Sequence, residues 1–314
     1  MTPIGMTAMG IDIGGTKTAV VVLDERGKVL EHRQAASGRG PGSVVAVAVD
    51  LAARCAAGVG GWAAVGSVGA CMPGVVDPRL GVVTHAVNLA VDSLDLAAEL
   101  GAALGRPVTV DNDVKAAGLG AYRLEGGDDA HAFAYLNVGT GLAAALVVGG
   151  RIVRGPGGFT GEIGHLPLAT PLPCRCGQTG CLEASASGSA LTRMWPPAQH
   201  RADPFAAAAA GDTVAAEAVQ LLCSGIATAI QVLVLAGGVE KVVVGGGLTA
   251  LGAPLADGVA SVLHERASRS PLLAGMDLPR RFSLLTSTVP IAALGAALLP
   301  AAARLPEEVR SWKS

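Results

Sequence analysis

Met9-Gly10-Ile11-Asp12-Ile13-Gly14-Gly15-Thr16-Lys17-Thr18-Ala19-Val20-Val21-Val22-Leu23 is the first strongly patterned stretch of this chain, and everything downstream is read outward from it. Met9 to Ile13 is an apolar run that ends on two glycines. Thr18 to Leu23 is a second run, rich in β-branched residues, and the polar turn Asp24-Glu25-Arg26-Gly27 leads into Lys28 to His32. Apolar runs of this length, bounded by glycine and polar turns, predict three antiparallel strands. The same plan returns from Ala132: a strand to Val138, the tight turn Gly139-Thr140-Gly141, a strand over Leu142 to Val148, the turn Gly149-Gly150, and a third strand over Arg151 to Val153. Asp12-Ile13-Gly14-Gly15-Thr16 and Asn137-Val138-Gly139-Thr140-Gly141 hold matched places in the two units, so the chain reads as a duplicated α/β architecture with facing glycine turns.

Between and beyond these units the periodicity predicts helices over Ser43 to Ala57, Leu94 to Leu104, Thr213 to Leu235 and Leu255 to Ala267. It predicts strands over Val65 to Cys71, Pro107 to Val110, Lys241 to Val244 and Phe282 to Leu285. A last helix over Ile291 to Leu299 is expected to stop at Pro300, and the tail from Glu307 is polar. The expected division is a smaller N-terminal α/β domain over 1–120, joined by a C-terminal helix at 291–312, and a larger α/β domain over 121–290.

The chain has 314 residues, enough for two domains of ordinary size. Lys plus Arg is 23 and Asp plus Glu is 25, a formal charge of −2, with no concentrated basic run to track a phosphate backbone. Nucleic acid is therefore not expected as a partner. Hydrophobic residues make up 51% and aromatic ones only 3%, with 44 glycines, so cores are filled by many small side chains. The apolar runs are interrupted, as at Gln231, Gly237 and Gly238, and no membrane span is expected. Met1 to Gly10 lacks the form of a secretory signal, which points to the cytoplasm. Thiols stay reduced there, so the six cysteines call for a role other than a disulfide framework.

A glycine turn between strands lets backbone approach an oxyanion and offers free N–H groups to it, the role read for Gly14, Gly15 and Thr16, and for Thr140 and Gly141 in the second copy. Either turn taken singly is equally an ordinary hairpin turn. Asp12 sits beside a polyphosphate favourably only with a cation between them, which argues for Mg²⁺ or a water-mediated contact; otherwise it stabilises the turn. Lys17 is either a phosphate neutraliser or a solvated strand residue.

Val110-Asp111-Asn112-Asp113-Val114-Lys115 places carboxylates and an amide where a strand gives way to a helix, the usual ligand position in open α/β sheets. Phosphoryl transfer to a hydroxyl needs a carboxylate to take its proton, and Asp113 is the candidate base, with helix capping as the competing reading. Cys174, Cys176 and Cys181 lie on one glycine-containing loop, with His165 nine residues upstream of the first. Three thiols and an imidazole satisfy a closed, structural tetrahedral Zn²⁺ site. Cys55, Cys71 and Cys223 read as small buried hydrophobes. Glu162 and Glu183 flank the cluster as carboxylates suited to accept hydrogen bonds from vicinal hydroxyls.

Taken together, Asp12 to Lys17, Pro73-Gly74 with Asp77, Asn88-Leu89, Asn112-Asp113, Gly139-Thr140-Gly141, Gly161-Glu162-Ile163-Gly164-His165 and the Cys174 to Cys181 loop closely resemble the ROK family of sugar kinases and repressors. The likeness runs from Gly10 to about Leu299. It implies an actin-like, ribonuclease-H-like pair of domains with a cleft that closes over ATP and a sugar. It also implies Asp113 as base, and Asn88, Asn112, Glu162, His165 and Glu183 as sugar contacts. Gly245-Gly246-Gly247 resembles the family's nucleotide-side glycine turn, placing Gly246 and Gly247 with the phosphate-binding residues. Family repressors carry a helix-turn-helix before the first glycine motif. Only nine residues precede Gly10, so the kinase class is expected.

Glutamate at 162, where N-acetylmannosamine-specific members commonly have histidine, leans to glucose or N-acetylglucosamine, glucose first; N-acetylglucosamine or N-acetylmannosamine kinase is the alternative. A silent sugar sensor is the competing class, because three places depart from the family pattern: Leu142 to Ala145, Val114-Lys115, and Thr286 to Ala293. Some relatives use polyphosphate in place of ATP. Family members are usually homodimers or homotetramers, and the same is expected of this chain.

Overall fold

The computed structural model describes residues 6–127, 131–155, 157–168, 170–196, 203–287 and 289–303. Strands and helices follow in the order Ala8–Ile13 (β1), Lys17–Leu23 (β2), Val29–Ala36 (β3), Pro41–Gly58 (α1), Ser67–Met72 (β4), Val75–Asp77 (β5), Val82–Ala86 (β6), Val91–Asp95 (β7), Leu96–Leu104 (α2), Val108–Asn112 (β8) and Asp113–Leu124 (α3). After them come Ala132–Val138 (β9), Leu142–Val148 (β10), Arg151–Val153 (β11), Gly188–Met194 (α4), Pro204–Ala209 (α5), Thr213–Gly237 (α6), Lys241–Gly245 (β12), Ala253–Ser268 (α7), Pro271–Met276 (α8), Phe282–Leu284 (β13) and Ile291–Ala302 (α9).

Two compact units result. One holds the described residues up to 127, 150–152 and those from 287 onward; the other holds 131–149 and 153–286. The boundary thus falls beyond α3, whose helix runs whole to Leu124, whereas a cut at 120 would divide it. The described C-terminal helix ends at Ala302, and the stretch expected to carry it to 312 lies outside the described residues.

The first unit's main sheet has the order β3-β2-β1-β4-β8, and the second sheet the order β11-β10-β9-β12-β13. In each, an antiparallel hairpin (β1 with β2, β9 with β10) continues into two parallel strands (β4 and β8, β12 and β13). Asp12 of β1 pairs with Cys71 of β4, which pairs with Asp111 of β8, so the three side chains form a row at the carboxyl ends of the strands.

Each unit has its own apolar core, in which many alanines and valines pack with larger leucine and isoleucine side chains. Helix α6 runs through the second, burying Leu222, Ile226, Ile230 and Leu233, and α1 buries Val44, Leu51 and Cys55 in the first. These two helices are long and apolar enough to cross a bilayer on length and composition, contrary to the expectation from the interrupted runs. Their buried faces account for that apolarity as core packing.

In the first unit, α9 packs on β1, β4 and α3 at glycine positions. A methyl group at Gly10 or Gly69 would overlap the carbonyl oxygen of Ala293 or Ala296, and one at Gly295 would overlap that of Ala116.

Two helix boundaries are corrected, and one sheet is added. The helix expected from Leu94 begins at Leu96, because Asp95 ends β7 and caps α2, its Oδ1 accepting from the Ala98 N–H at 3.0 Å. A three-stranded sheet of order β5-β6-β7 precedes it, unforeseen from the sequence. Pro300 does not stop α9: it falls in the last turn, where one missing N–H removes only the bond to Ala296, whose carbonyl lies against Gly69.

Candidate active site and metal centre

In the first unit the turn after β1 is closed by the Gly14 N–H donating to Lys17 O at 3.0 Å. Neither Gly14 nor Gly15 has a positive φ; glycine is required at 14 by space, since a Cβ would stand 2.9 Å from Lys17 O. Ser37 braces the turn from behind, its Oγ donating to Gly14 O at 2.6 Å and its N–H to Thr16 O at 3.0 Å. Gly15, Thr16 and Lys17 are exposed, and the N–H groups of Gly15 and Thr16 reach no backbone acceptor among the described residues. Asn88, exposed on the short turn after β6, lies against Gly15, where a Cβ would meet its side chain at 3.2 Å.

Asn112 performs the capping role weighed for this segment: its Oδ1 accepts from Val114 N at 3.0 Å and Lys115 N at 3.2 Å, and its Nδ2 donates to Gly74 O at 3.2 Å. Its second amide N–H has no hydrogen bond among the described residues. Asp113 is the first residue of α3, half-buried, with Oδ1 accepting from Val114 N at 2.9 Å.

Asp12 is pushed up to about 7, first by burial, then by the charge of Asp113, while a hydrogen bond from Cys71 pulls it down. Cys71 is buried as expected, and its Sγ also lies 3.6 Å from Asp12 Oδ1 and 3.7 Å from Ala292 O. Because the fold raises the pKa of Asp12, the group's contribution to stability is present at low pH and is lost as pH rises from about 4 through about 7. We expect Asp12→Asn to be more stable than the parent by a few kcal/mol above neutrality, with the gap opening across that window. Urea denaturation at stepped pH without divalent cations measures it; a gap that does not change with pH would rule out the buried, raised carboxylate as its cause.

In the second unit the turn Gly139-Thr140-Gly141 is closed by Gly139 N donating to Gly141 O at 3.0 Å. The first residues of α4 grip it, with Gly188 N donating to Gly139 O at 2.7 Å and Ser189 N to Thr140 O at 3.2 Å. Gly246, at φ +92°, packs on the same turn: a Cβ there would stand 2.6 Å from Val138 O and 2.8 Å from Gly139 N. Gly247 follows it into a short helical turn ending at Leu251. The two glycine turns of this unit are thereby neighbours. The departure at Leu142 to Ala145 leaves the turn closed, because those residues form the start of β10, with Leu142, Ala144 and Ala145 buried.

His165, Cys174, Cys176 and Cys181 bring their ligand atoms within 4.8 Å of one another. Cys176 Sγ is 3.5 Å from Cys181 Sγ, and Cys174 Sγ is 3.9 Å from His165 Nδ1. Tetrahedral zinc with sulfurs at ~2.3 Å spaces its ligand atoms by about 3.8 Å, so the donor set fits. The loop is shaped for it: Cys174 N donates to Gln178 O at 2.9 Å, and Gly177 and Gly180 take positive φ. Hydrogen bonds from Gln178, first from its backbone, pull the exposed Cys176 thiol down, whereas burial and then the neighbouring thiols push Cys181 up. A bound cation would resolve that opposition by stabilising all the thiolates together. Glu162 is exposed one turn before His165, and Glu183 follows Cys181 in the turn Leu182–Ala184.

The chain matches the ROK family over residues 8–299. It is similar to the ROK hexokinase of Thermus thermophilus, at 32% identity and a TM-score of 0.80, covering 94% of this chain and 97% of that one. A ROK family glucokinase from Streptomyces griseus, solved in complex with glucose and AMPPNP, is 27% identical with a TM-score of 0.71, over 93% of this chain and 98% of that one. Among curated proteins, the glucokinase of Halalkalibacterium halodurans is 29% identical over 78% of this chain and 81% of its own length. The N-acetylmannosamine kinase of Escherichia coli is 30% identical over 87% and 92%. With its duplicated sheets, paired glycine turns and Cys/His loop, the chain belongs to the ROK family, as a sugar kinase built on the family's actin-like, ribonuclease-H-like pair of α/β domains.

Proposed function

We propose that this sugar kinase transfers the γ-phosphoryl group of ATP to a hydroxyl of glucose, with Asp113 as the base. The observation that carries the reading is the pair of carboxylates, Asp12 and Asp113, at the carboxyl ends of β1 and β8 in the first sheet. Asp12 is the penultimate residue of β1, just before the exposed turn, and Asp113 opens α3 directly after β8, its charge being the second cause that raises Asp12. Asp113 takes the proton of the sugar hydroxyl; the oxygen forms its bond to the γ-phosphorus as the bond from phosphorus to the bridging oxygen of ADP breaks. Gly14, Gly15, Thr16 and Lys17, with Thr140, Gly141, Gly246 and Gly247, are assigned to the phosphates. Mg²⁺, when bound, neutralises phosphate charge, and Asp12 is the residue that would hold it or its water. Asn88, Asn112, Glu162, His165 and Glu183 are assigned to the sugar hydroxyls.

Glucose is favoured by the glutamate at 162 and by the glucokinases among the relatives. The N-acetylmannosamine kinases among them make that sugar the second candidate. ADP release with ATP and Mg²⁺, measured across glucose, mannose, N-acetylglucosamine and N-acetylmannosamine and repeated with polyphosphate, tests the reading. Turnover is expected to be highest with glucose and ATP; silence across the panel from folded protein would overturn it.

Zinc is assigned to His165, Cys174, Cys176 and Cys181 as a structural ion. Elemental analysis of the purified protein should find about one zinc per chain. Removal by a chelator should lower the melting temperature and weaken sugar binding together, since His165 belongs to both sets. Zinc-free protein of unchanged stability and sugar affinity would exclude that role.

A further inference from the structure

Leu142 follows the Gly139-Thr140-Gly141 turn directly, and its backbone N–H donates to Glu183 Oε2 at 2.9 Å. A hydrogen bond to a carboxylate is roughly twice as strong as a neutral one. The same oxygen lies against the turn itself, where a Cβ on Gly141 would stand 2.5 Å from it. Glu183 is in turn held from below. Its short helical turn is pinned by Leu182 N donating to Leu166 O at 2.9 Å and Ala184 N donating to Cys181 O at 2.9 Å, and its Cβ packs against Gly164. On the opposite flank the carbonyls of Gly139 and Thr140 are taken by the N–H groups of Gly188 and Ser189. With its carbonyls engaged by α4 and the N–H after it engaged by Glu183, the turn has its peptide planes set before any ligand arrives.

We infer that Glu183 is a positioning residue for the nucleotide turn, in addition to any contact with sugar: its carboxylate fixes the Gly141-Leu142 peptide, and nucleotide affinity depends on it even when no sugar is bound. The inference rests on the reading that the 139–141 turn binds nucleotide phosphates. A residue that only contacts sugar would leave nucleotide binding by the sugar-free protein untouched.

Calorimetric titration of the purified protein with AMPPNP and Mg²⁺, without sugar, separates the cases. Glu183→Ala is expected to weaken AMPPNP by about tenfold, a hydrogen bond to a charged group lost. Glu183→Gln keeps an oxygen able to accept the same N–H and is expected to stay within about threefold of the parent. Matched melting temperatures show that the fold is intact. Glu183→Ala with parental affinity, or Gln as weak as Ala, overturns the inference. Gly246→Ala distinguishes the two layers of the argument, because its methyl would collide with the backbone of Val138. If Gly246→Ala weakens AMPPNP while Glu183→Ala does not, only the positioning role fails. If neither weakens it, the nucleotide assignment of the turn fails with it.

Discussion

Asparagine in place of Asp113 is expected to lower kcat by about 10³-fold, inside the ~10²–10⁴ range for loss of a general base. The sugar and ATP concentrations needed for half-saturation should change little. The substitution isolates the proton-accepting function because an asparagine Oδ1 can still accept the Val114 N–H that Asp113 Oδ1 now holds at 2.9 Å. Asn112 continues to cap α3 through Val114 and Lys115. Removing the charge also relieves Asp12, whose pKa Asp113 helps to raise, so the variant should be no less stable than its parent. Coupled ADP-release kinetics with a parallel thermal melt measures both quantities. Near-normal turnover in a folded variant would take the base assignment away from Asp113.

A single methyl group at Gly295 is expected to be worse for the fold than any substitution at the active site. Gly295 lies where α9 crosses α3, and an added Cβ would overlap the Ala116 carbonyl oxygen and meet Gly120 N at 2.9 Å. These nearest neighbours are all backbone, so no side chain can turn aside and a helix must shift. Overpacking of a rigid contact costs about 1–3 kcal/mol and occasionally more. We expect Gly295→Ala to reach the upper end, a large part of a typical stability of ~5–15 kcal/mol. Gly275→Ala on α8 is the control: nothing lies within 4 Å of its Cβ position, and a helical glycine replaced by alanine should gain up to about 1 kcal/mol. Urea titration of both variants measures the difference, and equal midpoints would show that the crossing adapts.

What could be read from sequence was what is local. The strands at 132–138, 142–148 and 151–153 lie where apolar runs and glycine turns placed them, because turn and strand are specified by neighbouring residues. The Cys/His loop was legible for the same reason, its cysteines lying within eight residues. The sheet of β5, β6 and β7 was not, because its short strands alternate buried and exposed positions irregularly and Asp95 serves both as strand end and as helix cap. Cys71 and Glu183 show a second limit. Cys71 meets Asp12 across 59 residues and Glu183 meets Leu142 across 41, contacts that no local pattern announces. Asn112 reads in sequence as a ligand residue and a cap at once, and the capping bonds are the ones seen.

The glycine contacts under α9 also set an order of events in the life of the chain. β1, β4 and α3 are synthesised early, yet the helix that packs closely against them comes only after the whole second unit has been made. Until then the glycines at 10, 69 and 120 have no partner backbone to receive, and the nascent first unit presents an apolar, uncovered face to its surroundings. Its completion is a closure of very long range, the kind of contact that slows folding most. Of the two units, the one whose strands come earlier in the sequence is thus the last to be finished.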